Sequence, residues 1–192
     1  MNSPARTVVI FGGSDFGPAG EIFLAAEELG RMFALRGWTV ANGGYGGAML
    51  ASARGAVQAG GRAIGVTCAI FKSPPNEFIS EVVRTGDLFE RLRALIELGD
   101  AYVALPGSTG TLAELALVWE LVNKRMIPRR PILCWGEYWR AIVRVFDRDS
   151  TRDPRINTAG LPDRRGELIT FISTVEEAAA AIGKAFAATS EK

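Results

Sequence analysis

The sequence contains no histidine. That absence excludes a Ser-His-Asp triad, a Cys-His pair, an HExxH zinc site and any imidazole acid or base. Cysteine is almost as scarce. Cys68 and Cys134 form no CxxC pattern, and each lies in an apolar run. Neither a zinc ribbon nor a dithiol redox motif is suggested, and both read as small buried hydrophobes. Charge of one sign is missing too. Twenty-two Lys+Arg against 21 Asp+Glu leave a net charge of +1, without the basic excess of a protein that wraps duplex nucleic acid. The basic cluster Lys124-Arg125 and Arg129-Arg130 reads as a solvated helix end and loop. No apolar run approaches the ~18 residues of a membrane span. The opening MNSPARTVVIFGG has too short an apolar stretch for a secretory signal. A reducing, cytoplasmic location is the expectation, with no membrane and no nucleic acid as partner.

What is present is an ordinary globular balance. Of 192 residues, 48% are hydrophobic and 22% charged, which suits one domain spanning 1–192 with a sizeable core. Glycine is the outlier, at 22 residues against an average share near 7%. Short β-rich runs alternate with longer helical ones. Arg6–Phe11, Trp38–Ala41, Arg62–Thr67, Ala101–Leu105, Pro131–Trp135 and Leu168–Ile172 read as strands, with Phe78–Val83 as a short further one. A first helix carries Ile22, Ala25, Ala26, Leu29, Met32 and Phe33 at helical spacing, with Pro18 in its first turn and Gly37 at C′. A small-residue helix runs to about Ala59. Asp87 caps a helix through Arg91 to Leu98, another spans Thr111 to about Lys124, and another Glu137–Phe146. Residues 147–166 read as a long polar loop. Thr174 with Glu177 makes a capping box for the last helix. Six or seven strands alternating with helices predict an α/β fold: a Rossmann-like, doubly wound parallel sheet with helices on both faces. In such sheets ligands bind beyond the carboxyl ends of the strands, so glycine clusters that follow strands should converge there.

Three clusters do follow strands. Gly12-Gly13-Ser14 comes after the first, and glycine there admits close approach of a ligand to the backbone. Gly43-Gly44-Tyr45-Gly46-Gly47 precedes the second helix, whose exposed amides attract phosphate. It is not a dinucleotide GxGxxG, because it follows the second strand, and no GK[ST] occurs for a Walker loop. The third and sharpest is Pro106-Gly107-Ser108-Thr109-Gly110-Thr111, where glycines and first-turn amides can wrap an anion and Thr111 adds a hydroxyl. Glu114 falls about one turn further, behind that cradle. By itself it reads equally as a carboxylate favoured by the helix dipole. Arg91 reads either as a partner for it or as a solvated helix residue like Arg93.

The run PGSTGTLAE resembles the PGGxGTxxE signature of the LOG (Lonely Guy) family, cytokinin-activating phosphoribohydrolases and bacterial relatives often labelled "lysine decarboxylase-like". The resemblance extends from VVIFGGSD to PILCWGEYWRAIV. Gly43–Met49 is similar to the family's GGGxxGLMG segment, Ala59-Gly60-Gly61 with Ile64-Gly65-Val66 to its AGGxxIGV, and Phe89-Glu90-Arg91 to its MHERK. The chain departs from the pattern at Gly12, Phe89, Leu92, Ser108 and Ala113. The resemblance implies that the Pro106–Thr111 loop holds the 5′-phosphate of a nucleoside monophosphate, with Gly13, Ser14, Gly43, Gly44, Gly46, Gly47 and Met49 completing the nucleotide site. It implies that Glu114 holds the ribose and takes part in cleavage, and that Arg91 supports it and keeps it ionised. The implied reaction is hydrolysis of an N-glycosidic bond, with no cofactor or metal, by a homodimer for which Leu115, Trp119 and Val122 either offer apolar surface or simply pack on the sheet. A non-catalytic carrier of a nucleotide or of molybdenum cofactor is the alternative. A pyridoxal phosphate decarboxylase is not supported, since no lysine sits in a recognisable context for that cofactor.

Overall fold

The computed structural model describes residues 5–147 and 165–190. Seven strands form one sheet: β1 (Thr7–Phe11), β2 (Thr39–Asn42), β3 (Ala63–Cys68), β4 (Glu81–Thr85), β5 (Ala101–Ala104), β6 (Ile132–Trp135) and β7 (Ile169–Ile172). The spatial order is β4-β3-β2-β1-β5-β6-β7, and every pairing is parallel. Among the described residues, α1 (Glu21–Leu35), α2 (Ala48–Gln58), α3 (Leu88–Leu98), α4 (Thr109–Asn123) and α5 (Arg140–Asp147) lie between strands, and α6 (Val175–Ser190) follows β7. The alternation in β1 shows the double winding. Val8 and Ile10 face a core with α1, α2 and α6, whereas Val9 and Phe11 face a second core with α3, α4 and α5. The expected α/β class with helices on both faces is therefore the fold.

Local chemistry explains most element ends. Gly37, at φ +73°, closes α1, with Gly37 N–H donating to Ala34 O and Trp38 N–H to Phe33 O. The Trp38 ring then packs on Phe33 at 5.7 Å, completing a Schellman end. The Asp87 carboxylate accepts from Glu90 N–H at 2.8 Å, and Thr174 and Glu177 bond reciprocally as a capping box.

Several boundaries differ from expectation. Pro18 is not in the first turn of α1. Gly20 N–H closes a turn onto Gly17 O, and the helix begins only at Glu21. β4 starts at Glu81, not Phe78, because Asn76 makes a turn of its own through Phe78 N–H and Ile79 N–H. α4 begins at Thr109, two residues earlier than expected, and α5 at Arg140 after a turn with Gly136 at φ +63°. Of the long loop expected over 147–166, Asp147 ends α5 and 165–166 enter a 3-10 turn (Arg165–Leu168); the remainder lies outside the described residues. Leu115, Trp119 and Val122 are core residues, 2%, 8% and 5% exposed, so they offer no surface for a second copy. Exposed apolar side chains nearby include Leu117 on α4, Phe89 on α3 and Phe146 on α5, whose ring meets Trp119 at 6.1 Å. Among the described residues no helix is long and apolar enough to cross a membrane.

Candidate functional site

In the strand order the chain reverses direction across the sheet between β1 and β5. The loops leaving adjacent parallel strands on opposite sides of that point must part, and the gap is where ligands bind in open α/β sheets. Here the two loops are Gly12–Gly20 and Leu105–Ser108. They remain tied at their roots, with Gly13 N–H donating to Pro106 O at 3.1 Å, and Gly13 O accepts from Ala48 N–H at the start of α2 at 3.0 Å. A cleft of about 440 Å³ opens above them, within the usual range for small-molecule sites.

One rim of the cleft is the N-terminus of α4. Ser108 is the N-cap and makes no side-chain cap bond. The first intrahelical acceptor is Ser108 O, bonded by Leu112 N–H, so the amides of Thr109, Gly110 and Thr111 precede the helical ladder. They and the helix dipole favour an anion. Ser108 has φ −96°, an extended backbone that serine adopts freely, so the departure from glycine leaves the loop geometry intact. Behind it, Tyr138 Oη donates to Gly107 O at 2.7 Å and Trp139 Nε1 to Leu105 O at 3.0 Å, anchoring the loop to the turn before α5.

The floor carries two charges. Glu114 lies one turn beyond Thr111 on the same face of α4. Arg91 comes from α3 and is 7% exposed, so the solvated reading of this residue is excluded, whereas Arg93 is exposed. Arg91 Nε donates to Val66 O at 2.9 Å, and Nη1 donates to Glu114 Oε1 at 3.2 Å. The remaining nitrogen, Nη2, passes over Gly43. A Cβ built there would overlap Nη2 and come within 2.6 Å of Met49 Sδ. Gly43 is thus glycine because a buried guanidinium occupies the space of its side chain.

Glu114 does not behave as expected. Burial pushes its carboxyl up to about 7, and the charge and hydrogen bond of Arg91 pull it down only in part. Arg91 alone therefore does not keep it fully ionised at neutral pH. The sign for stability follows. Between the ordinary 4.5 and about 7, the folded protein holds a proton that the unfolded chain has lost. Stability from this group therefore falls as pH rises through that window and is level above it. At ~1.4 kcal/mol per pH unit, the loss is about 3 kcal/mol. Urea denaturation of wild type and Glu114→Gln should show their stability difference moving by about that amount between pH 4.5 and 8, against the wild type. A difference independent of pH would show that Glu114 titrates as a free carboxylate.

Of the residues expected at the site, Gly13, Ser14, Gly43, Gly46, Met49, Arg91, Ser108, Gly110, Thr111 and Glu114 line this one cleft. Gly44, Gly47, Pro106, Gly107 and Thr109 do not. Gly47, at φ +59°, lies against the Gly13–Ser14 backbone, and the Gly44 amide is taken by Asn42 Oδ1 at 2.8 Å. Asn42 is fully buried and also donates to Met49 O and Ser52 Oγ, bracing the whole glycine loop. Sequence reasoning missed Asn42; a polar residue ending a buried strand was its only signal. The opposite wall of the cleft is Phe71, Ser73, Pro74 and Asn76, facing Tyr45.

The family model of the SLOG cluster4 family matches residues 5–138. The chain belongs to the SLOG cluster4 family. This agrees with the LOG resemblance of the glycine motifs. Among curated relatives, a cytokinin riboside 5′-monophosphate phosphoribohydrolase of Rhodococcoides fascians is 31% identical over 151 residues, 74% of each chain. A probable enzyme of the same name, LOG4 of Oryza sativa subsp. japonica, is 29% identical over 182 residues, 88% of this chain and 77% of the relative. Among solved structures, the molybdenum cofactor carrier protein of Chlamydomonas reinhardtii superposes with a TM-score of 0.71 over 95% of this chain and 99% of that one. At 23% identity, that likeness concerns the fold.

Proposed function

We propose that this member of the family is a hydrolase that cleaves the N-glycosidic bond of a nucleoside 5′-monophosphate, giving free base and ribose 5-phosphate. The observation that carries the reading is the placement of a buried Glu114–Arg91 pair in the same cleft as the unladdered amides of α4. Those amides take the phosphate, and Arg91 Nη2 and Thr111 Oγ1 lie within the same enclosure. Held there, the sugar lies along the α4 face that carries Glu114. As the C1′–N bond breaks, positive charge develops on the ribose ring, and the Glu114 carboxylate stabilises it. The same carboxylate can accept the proton of the attacking water. Water supplies hydroxide to C1′ and, through this relay, a proton to the departing base. None of these steps needs histidine. The relatives named as phosphoribohydrolases support this reading.

The second reading, a carrier of nucleotide or molybdenum cofactor, draws on the likeness of fold to the carrier protein. Of the departures that favour it, Ser108 lines the cleft, in an extended backbone that serine adopts freely. Phe89 and Leu92 line a groove with Leu117 and Leu121 between α3 and α4, outside the cleft. The deciding experiment is incubation with AMP at pH 8, where Glu114 is mostly ionised, with chromatography for adenine. Stoichiometric or catalytic release of adenine is expected. Tight calorimetric binding of AMP with no adenine released would favour the carrier.

A further inference from the structure

Phosphate and sugar leave one wall of the cleft without a task. The Arg91 guanidinium carbon lies 6.0 Å from the Tyr45 ring centroid and 5.9 Å from that of Phe71. The two rings meet edge to face, 5.6 Å apart at 79°. Tyr45 is fixed at both ends. Its hydroxyl donates to Cys68 O at 3.2 Å and accepts from Cys68 N–H at 2.9 Å, while its backbone carbonyl accepts from Asn76 Nδ2 at 2.8 Å. Asn76 also donates its backbone N–H to Gly44 O at 2.8 Å, so the loop after β3 is clasped to the glycine loop after β2. Phe71 sits in that clasped loop, its N–H bonded to Cys68 O, and remains 43% exposed while lining the cleft. The Arg91 guanidinium lies over the Phe71 ring and Tyr45 packs against it edge to face, and the rest of this half-exposed ring offers the cleft an apolar surface for a planar partner.

We infer that Phe71, buttressed by Tyr45, is the stacking platform for the planar aromatic base of the ligand. The inference rests on the nucleotide reading above and supplies its third part. The cleft then presents amides for a phosphate, a carboxylate for a sugar on which cationic charge develops, and an aromatic face for a heterocycle. Pro74 extends the apolar wall beside Phe71. The Asn76 side chain donates to Tyr45 O and accepts from Phe78 N–H, which braces the loop that carries Phe71. Recognition on this wall is by the π-face. A sugar phosphate without a base has nothing to cover Phe71.

Isothermal calorimetry with AMP and with ribose 5-phosphate separates the parts, using wild type, Phe71→Ala, Phe71→Leu and Phe71→Tyr. Base–aromatic stacking predicts that Phe71→Ala weakens AMP about 5- to 150-fold. Phe71→Leu should lose most of the same affinity, because it keeps bulk without a π-face, and Phe71→Tyr should stay within roughly threefold of wild type. Ribose 5-phosphate should bind all four proteins alike. Unchanged AMP affinity in Phe71→Ala overturns the inference. So does a parallel loss for ribose 5-phosphate, which would make the ring a support of the loop, and so does Phe71→Leu matching Phe71→Tyr. A free-base assay on the same proteins keeps the two readings apart. Adenine release with Phe71-independent AMP affinity overturns the platform alone, whereas AMP that does not bind wild type overturns the nucleotide reading with it.

Discussion

On the proposed reaction, Glu114→Gln is expected to lower kcat for release of adenine from AMP about 10²–10³-fold, by analogy with the ~2.7–4 kcal/mol lost when a group aimed at transition-state charge is removed. The affinity for AMP changes little. The reason lies in which atoms the substitution touches. The proposed anion donors are backbone amides in the first turn of α4, which a change at 114 leaves in place. The amide of glutamine keeps the volume and can still accept from Arg91 Nη1, which bonds Glu114 Oε1 in the wild type. What disappears is the negative charge, and with it the group that accepts a proton from water. Single-turnover release of adenine beside calorimetry on the same protein measures both quantities. A loss of affinity equal to the loss of kcat would mean that Glu114 acts in the ground state, as a ligand-holding group of a carrier.

The second large effect concerns Arg91 and the glycine beneath it. Two influences lower the Glu114 carboxyl from where burial would leave it, and both come from Arg91. Arg91→Ala removes them, so the ionisation of Glu114 moves above 7. Activity that needs the carboxylate then has its limb displaced to alkaline pH. From a starting point near 7, the first unit of displacement lowers the ionised fraction at pH 7 about fivefold and each further unit about tenfold, so kcat at pH 7 falls and recovers in part by pH 9. Gly43→Ala should reproduce the displacement while keeping the arginine. Its Cβ would overlap Nη2 and stand 3.1 Å from Cζ, and a guanidinium pinned to Val66 O and Glu114 cannot yield without loosening one of those bonds. A pH–rate profile of Gly43→Ala with its limb still near 7 would show that the glycine serves the ligand and not the arginine.

Much of this architecture is legible in the chain itself, because its signals are local. Strand and helix periods need only neighbours a few residues apart, as Val8 and Ile10 against Val9 and Phe11 show. Helix ends such as Gly37, Asp87 and the Thr174–Glu177 box carry their own hydrogen-bond partners. The three glycine clusters were identifiable as one edge of a parallel sheet, since each follows a strand. Errors fell where a side chain outside the pattern set the boundary. The Asn76 turn delays β4, and the Gly17–Gly20 turn keeps Pro18 out of α1.

The chain by itself determined the fold class, the absence of imidazole chemistry, and the glycine-rich edge where a ligand could sit. Tertiary structure decided the rest. Arg91 and Glu114 are 23 residues apart, on different helices, and only the packing of α3 and α4 on one face of the sheet brings them to 3.2 Å. The same packing excludes water from the pair, and that exclusion raises Glu114 to about 7. It buries Leu115, Trp119 and Val122, which a helical projection alone left free to face a second copy. It also clasps the loop after β3 over the cleft through Asn76, placing Phe71 beside the guanidinium. Desolvation and long-range contact depend on what the whole chain folds around a residue, and no window of sequence contains that.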